Sequence, residues 1–207
     1  LGLLVGGATA ICGASAALAI ASVLPASGDR DRNLAFTVVG VTALSTLAMI
    51  LYPVLAGLAG LNEVETGLFL GATIHDVAQV VGAGFSVGET TGDVATLTKL
   101  ARVALLFPLV LAISLATGRG NGTGPLVPGF VVAFALVAGA NSLGLIPQVV
   151  GEAAEPVSRA FLLIAVAALG LRTRLNEIVD LGWKPGIVLL AATTGLAIFV
   201  ASAILLA

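Results

Sequence analysis

Apolar positions run along this chain in seven long blocks, separated by short polar or glycine-rich stretches. The blocks cover residues 1–24, 34–58, 66–84, 94–116, 126–146, 160–181 and 186–207. A helix needs about 20 apolar residues to cross a hydrocarbon core of about 30 Å, so each block is a candidate span. The separators carry the charge. Asp29, Arg30, Asp31 and Arg32 form the first, Asn62, Glu63 and Glu65 the second, and Glu89 and Asp93 the third. Residues 118–124 are rich in glycine, which suits a flexible connection.

Two blocks depart from the pattern. In the first, Leu and Val fill both ends, while Thr9, Cys12, Gly13 and Ser15 occupy the centre. A helix facing only lipid gains nothing from small polar residues there. A helix unwound at mid-depth, with free N–H and C=O groups around a solute, requires them. The alternative is a closely packed helix approached through Gly2 and Gly6. In the sixth block only residues 160–171 are apolar, and these twelve residues reach about 18 Å as a helix. Beyond them Leu175, Ile178 and Val179 recur at helical spacing among Arg172, Arg174, Glu177 and Asp180. This reads as a second interrupted helix, broken at residues 170–173. The alternative is a short re-entrant helix followed by an amphipathic surface helix.

The two irregular blocks stand five spans apart, and an odd number of crossings reverses direction. That is the arithmetic of inverted five-helix repeats, each with one discontinuous helix, the two crossing at a shared site. The expected fold is therefore an all-α membrane protein. Residues 1–61 end the first repeat, residues 62–207 form the second, and the first three helices of the scheme are absent from this chain.

Composition narrows the class. Hydrophobic residues make up 58% of the chain and charged residues 10%, with a mean hydropathy of +1.14. Soluble domains carry about 25% charged residues. The lipid bilayer is thus the first expected partner. A net charge of −2 and the lack of any basic run argue against nucleic acid. A single Cys and a single His exclude an intrachain disulfide and make a protein metal cage improbable. No cofactor is expected.

Ionisable groups inside spans are costly, about 2.5–3.5 kcal/mol each on insertion scales, so they mark candidate sites. His75 and Asp76 lie midway along the third block, with Gln79 one helical turn beyond His75. On a continuous helix His75 and Gln79 share a face with Gly71 and Gly82, which suits a cavity wall. His75 is a candidate for substrate contact, and His75 with Asp76 for proton relay. Lys99 and Arg102 share a face of the fourth block and suit an anion, a dianion above all. The bland reading of this pair is snorkelling to headgroups. Cys12, Gly13, Ser15, Asn141, Gly170 and Thr173 complete the candidate substrate-binding set as uncharged hydrogen-bonding or backbone positions.

Several stretches resemble a bacterial family named for sulfate export, a group of multi-span membrane proteins. The matching motifs are Ile11-Cys12-Gly13-Ala14-Ser15-Ala16, Met49-Ile50-Leu51-Tyr52-Pro53 and Gly71-Ala72-Thr73-Ile74-His75-Asp76-Val77-Ala78-Gln79-Val80-Val81. Lys99-Leu100-Ala101-Arg102-Val103 and Ala168-Leu169-Gly170-Leu171-Arg172-Thr173 match further on. The resemblance implies a fold related to cation/proton antiporters and bile-acid symporters, with two broken helices at the substrate site. Many members carry Glu where this chain has Asp76.

The expected function is secondary transport of a small anion, sulfate or a related oxyanion, by alternating access. The coupling ion is H+ or Na+, and a homodimer is compatible with the sequence. An intramembrane enzyme using His75 and Asp76 is the alternative, disfavoured because no Ser or Cys stands beside them. A scaffold would not need polar groups in five spans. A retinal protein would need a lysine in the last block, which has none.

Overall fold

The computed structural model describes residues 1–24, 30–116, 129–154, 156–157, 160–161, 164 and 184–206, and its regular structure is entirely helical. The helices are α1 (Gly2–Ala10), α2 (Ala14–Val23), α3 (Arg30–Leu58), α4 (Glu63–Thr73) and α5 (Val77–Val87), then α6 (Glu89–Ala104), α7 (Leu106–Ala116), α8 (Gly129–Ser142) and α9 (Lys184–Leu206). Among the described residues three rods are long and apolar enough to cross a membrane. They are α3, the joined α6–α7 rod Glu89–Ala116, and Pro185–Leu206 of α9. The protein is a multi-pass membrane protein.

The first block does not cross. Ile20 of α2 packs onto Gly7 of α1 so closely that a Cβ on Gly7 would overlap its side chain. Thirteen residues of unbroken helix would instead separate the two by about 20 Å. The chain therefore reverses at residues 11–13, and α1 and α2 form a helical hairpin. Gly13 makes the reversal at φ +64 and ψ −121, a conformation that side-chain-bearing residues rarely adopt. The interruption expected at residues 11–15 is present, but as a turn-back and not as a gap in a crossing helix. Among the described residues nothing lies within 4 Å of a Cβ position on Gly2 or Gly6, so none of these uses them for packing.

The third block corrects the expectation of a continuous span. It divides into α4 and α5, which lie side by side on α6. Cβ positions on Gly67 and Gly84 would stand 2.9 and 3.3 Å from the same Thr91 carbonyl oxygen. The Thr91 hydroxyl donates to the Glu63 carbonyl at 3.1 Å, and Gly88 also lies beside Glu63, so both ends of this second hairpin meet at its base. Local chemistry specifies its two starts. Asn62 and Glu65 form a reciprocal capping box at α4, with bonds of 2.9 and 2.8 Å. Asp76 caps α5 by accepting from the Gln79 N–H at 3.2 Å.

The rods show how the hairpins are stacked. Leu34, Val38 and Val41 in the first half of α3 cluster with Leu4, Ala17 and Ile20 of the first hairpin. Ala48 and Ala56 in its second half cluster with Phe69, Leu70 and Val80 of the second. The α6–α7 rod repeats the division in reverse, with Ala95 beside the second hairpin and Val110 and Ile113 beside the first. In α9, Leu189 packs on the first hairpin and Ala197 and Ala201 on the second. The two hairpins thus enter from opposite ends of the rods and meet tip to tip.

The α6–α7 rod bends at Leu105, whose N–H bonds the Arg102 carbonyl at 3.0 Å, one residue short of the α-helical pattern. Pro108 supplies the cause, since it lacks an N–H and its ring crowds the carbonyl four residues before it. The rod begins at Glu89, five residues before the block read from hydropathy, and α3 takes in Arg30 and Arg32, which the sequence places in a loop. The break expected at residues 170–173, and with it Gly170 and Thr173, lies outside the described residues.

Candidate functional site

At the hairpin tips, residues 11–13 and 74–76, two stretches of non-helical backbone meet. A Cβ on Gly13 would stand 3.4 Å from the His75 Cβ, so the two turns are in van der Waals contact. Both lie level with the middle of the rods. Ser45, halfway along α3, accepts from the His75 N–H at 3.2 Å and the Asp76 N–H at 3.1 Å. Thr193, near the middle of α9, shares a 3.0 Å hydrogen bond with His75 Nε2. Irregular backbone at such depth is tolerated only where protein or a water-filled cavity covers it.

Lys99 and Arg102 hold the tips together. Lys99 is fully buried, and its ammonium donates to the Ile11 carbonyl at 2.6 Å and the Ile74 carbonyl at 2.9 Å. The Arg102 guanidinium donates to Thr9 at 2.8 Å and Ala10 at 3.1 Å on one hairpin. On the other it donates to Ala72 at 2.7 Å and Gly71 at 3.2 Å. These six oxygens belong to the C-terminal ends of α1 and α4. Each helix end leaves carbonyls without intrahelical partners and carries about half a negative charge. Two cations from one turn of α6 therefore satisfy the ends of two helices. The reach depends on Gly67 and Gly71, since a Cβ on Gly67 would lie 2.7 Å from Val94 and one on Gly71 would meet α6 backbone.

The N-terminal ends of α2 and α5 differ. Asp76 answers the first turn of α5, while the first turn of α2 follows Gly13 and has no side-chain cap. Ser15, in that first turn, is exposed. Cys12 is buried beneath it, packed with Val103, Leu106 and Leu109. Among the described residues, buried His75 Nδ1 and Gln79 Oε1 meet no hydrogen-bond partner, while Gln79 Nε2 donates to Thr46 at 3.0 Å.

The sequence-derived candidates divide accordingly. Cys12, Gly13, His75, Asp76, Lys99 and Arg102 come together at the tips, with Ser15 and Gln79 at their margin. His75 and Gln79 do not share a helix face, because His75 lies in the turn before α5 begins. The Asp76 side chain caps its own helix, while its N–H goes to Ser45 of α3. Lys99 and Arg102 point into protein, and among the described residues their bonds go to carbonyls. Asn141 is exposed in the last turn of α8, which packs on α7. Ser45, Thr46 and Thr193 were not legible as site residues. They are small hydroxyls in apolar runs, which usually bond their own helix. The Asp76-x-x-Gln79 spacing is the signal that would have revealed the start of α5.

Two apolar grooves of about 230 and 400 Å³ flank α9, the first beside Tyr52 and Phe69 and the second beside Leu68 and Thr98. Neither is lined by a residue of either tip. No group of three His, Cys, Asp or Glu side chains suited to a metal occurs among the described residues.

Residues 1–190 match the family described as Conserved hypothetical protein 698. The UPF0324 membrane protein TauZ of Paracoccus pantotrophus is 55% identical over 205 residues, covering 96% of this chain and 61% of that protein. A UPF0324 membrane protein of Chlorobaculum tepidum is 51% identical, over 96% of this chain and 57% of its own length. One from Rhizobium meliloti is 50% identical, over 97% and 60%. The chain thus spans about three fifths of the length of these relatives. No solved structure matches it.

Proposed function

The chain belongs to the Conserved hypothetical protein 698 family, alongside relatives named as UPF0324 membrane proteins, and on that premise we propose that it forms the core of a secondary transporter for a small anion. The observation that carries this reading is the meeting of two half-depth hairpin tips at Gly13 and His75. Unwound backbone held at the middle of the rods is what a transporter uses to grip a solute, and hairpins entering from opposite faces provide one gate for each side. The hairpins are blocks one and three, whereas the inverted repeat suggested by the sequence pairs block one with block six, which lies largely outside the described residues.

The anion sits at the first turn of α2, where the N-cap Gly13 has no side chain to answer the N–H groups, the Cys12 thiol lies beside the Ala16 N–H and Ser15 supplies a hydroxyl. Asp76 disfavours the corresponding end of α5 for a negative ligand. Lys99 and Arg102 act on the anion through their field, since their donors are engaged by carbonyls. Sulfate and related oxyanions fit this class, with H+ or Na+ as the coupling ion. No covalent chemistry is assigned to His75.

The test is flux of labelled sulfate, sulfite and small organic anions in proteoliposomes containing the full-length protein. Saturable uptake of at least one anion, weakened by Ser15→Ala, is the expected outcome. Flux indistinguishable from empty liposomes for every anion would refute the reading.

A further inference from the structure

The Lys99 ammonium sits where the two hairpins need a positive charge. The Ile11 and Ile74 oxygens come from different hairpins, lie 2.6 and 2.9 Å from one nitrogen, and are shut away from solvent with it. Backbone carbonyls converging on one point from two helix C-termini are a donor set for a small monovalent cation, as in carbonyl-lined ion filters. Arg102 cannot replace this charge. Its planar fork is spread over four carbonyls on the flank, whereas an ammonium is a compact point charge.

We propose that the Ile11 and Ile74 carbonyls form a monovalent-cation seat at the junction of the two hairpins, with the Lys99 ammonium as its tethered resident. The junction therefore carries its own cation and takes none from solution. Without the ammonium, two negative helix ends face each other across a closed space, and ammonium or a small alkylammonium is the ligand class that fits.

Two variants separate the seat from the stem. Methionine matches the lysine side chain but ends one atom short, so Lys99→Met vacates the Nζ position alone. Lys99→Ala vacates the stem as well. Melting of the purified full-length protein is followed in chloride salts of choline, sodium, ammonium and propylammonium at equal ionic strength. Wild-type protein should melt at the same temperature in choline, ammonium and propylammonium. Lys99→Met should melt about 5–10 °C lower in choline, from the loss of two charge-assisted bonds, and regain at least half of that in ammonium. Lys99→Ala should be restored better by propylammonium than by ammonium.

Equal melting of Lys99→Met in ammonium and choline would overturn the proposal, because the lysine would then only fill space. A wild-type protein stabilised by ammonium or propylammonium over choline would overturn it too, because the seat would be open. That wild-type series decides the point even if neither variant folds. The readout is stability and not flux, so a negative result here is distinguishable from failure of the transport assignment.

Discussion

The two hairpin tips do the same geometric work with opposite chemistry. The first, at residues 11–13, is shaped by backbone conformation, with Gly13 at φ +64 and no side-chain cap on the helix that follows. The second, at residues 74–76, is shaped by side chains. Ser45 takes its two N–H groups, Asp76 caps α5, and Thr193 meets His75. What they share is the treatment of the incoming helix, whose C-terminal carbonyls go to Lys99 and Arg102 in both cases. The difference leaves one helix N-terminus answered by a carboxylate and the other without a capping side chain at its N-cap. On the proposed function, a pair of tips symmetric in shape presents a single site for negative charge.

Breaking the first tip should have the largest effect. Gly13→Val combines a disfavoured backbone conformation with a side chain driven against His75, and should cost about 3 kcal/mol. Thermal melting or the yield of folded protein in detergent checks it. An unchanged melting temperature would show that the tips are not in contact.

A smaller loss is expected at the second tip. Asp76→Ala removes the α5 cap and should cost about 1 kcal/mol, whereas Asp76→Asn, which can still accept from the Gln79 N–H, should cost a few tenths. Asp76→Ala should also make the two N-termini alike, and an assay of anion affinity should register tighter binding. If both variants lose equal stability, the cap is not what shapes this tip.

The smallest effect on stability belongs to His75→Gln. A glutamine amide can still reach towards Thr193, so melting should change by less than about 1 kcal/mol. The pH profile of transport is the sharper measurement, because His is the side chain that ordinarily titrates near neutrality. A relay role predicts a flattened profile with stability kept. A profile that survives while stability falls would confine His75 to fastening the tip to α9.

Hydropathy made the apolar blocks legible, and the small polar centre of the first block correctly marked an interruption. It could not show that the chain turns back there. A hairpin of two ten-residue helices and one twenty-residue span have nearly the same hydropathy, and the distinction lies in contacts such as Ile20 on Gly7. The second hairpin was hidden for the same reason, although Asp76-x-x-Gln79 carried a capping signal inside the apolar run. The buried pair Lys99 and Arg102 was legible as exceptional because charge in such a block is costly. Its purpose was not, since the partners are backbone carbonyls, which no side-chain pattern records.

The turn-back of each hairpin has a consequence for membrane sidedness. A span moves the chain to the other compartment, while a hairpin returns it to the one it left. Residues 61 and 88, which bracket the second hairpin, therefore face the same compartment, and so do residues 1 and 24 around the first. Counting both blocks as spans introduces two parity errors that cancel after α5. Every reporter placed downstream would agree with either topology, and only tags on the two sides of a single hairpin could tell them apart.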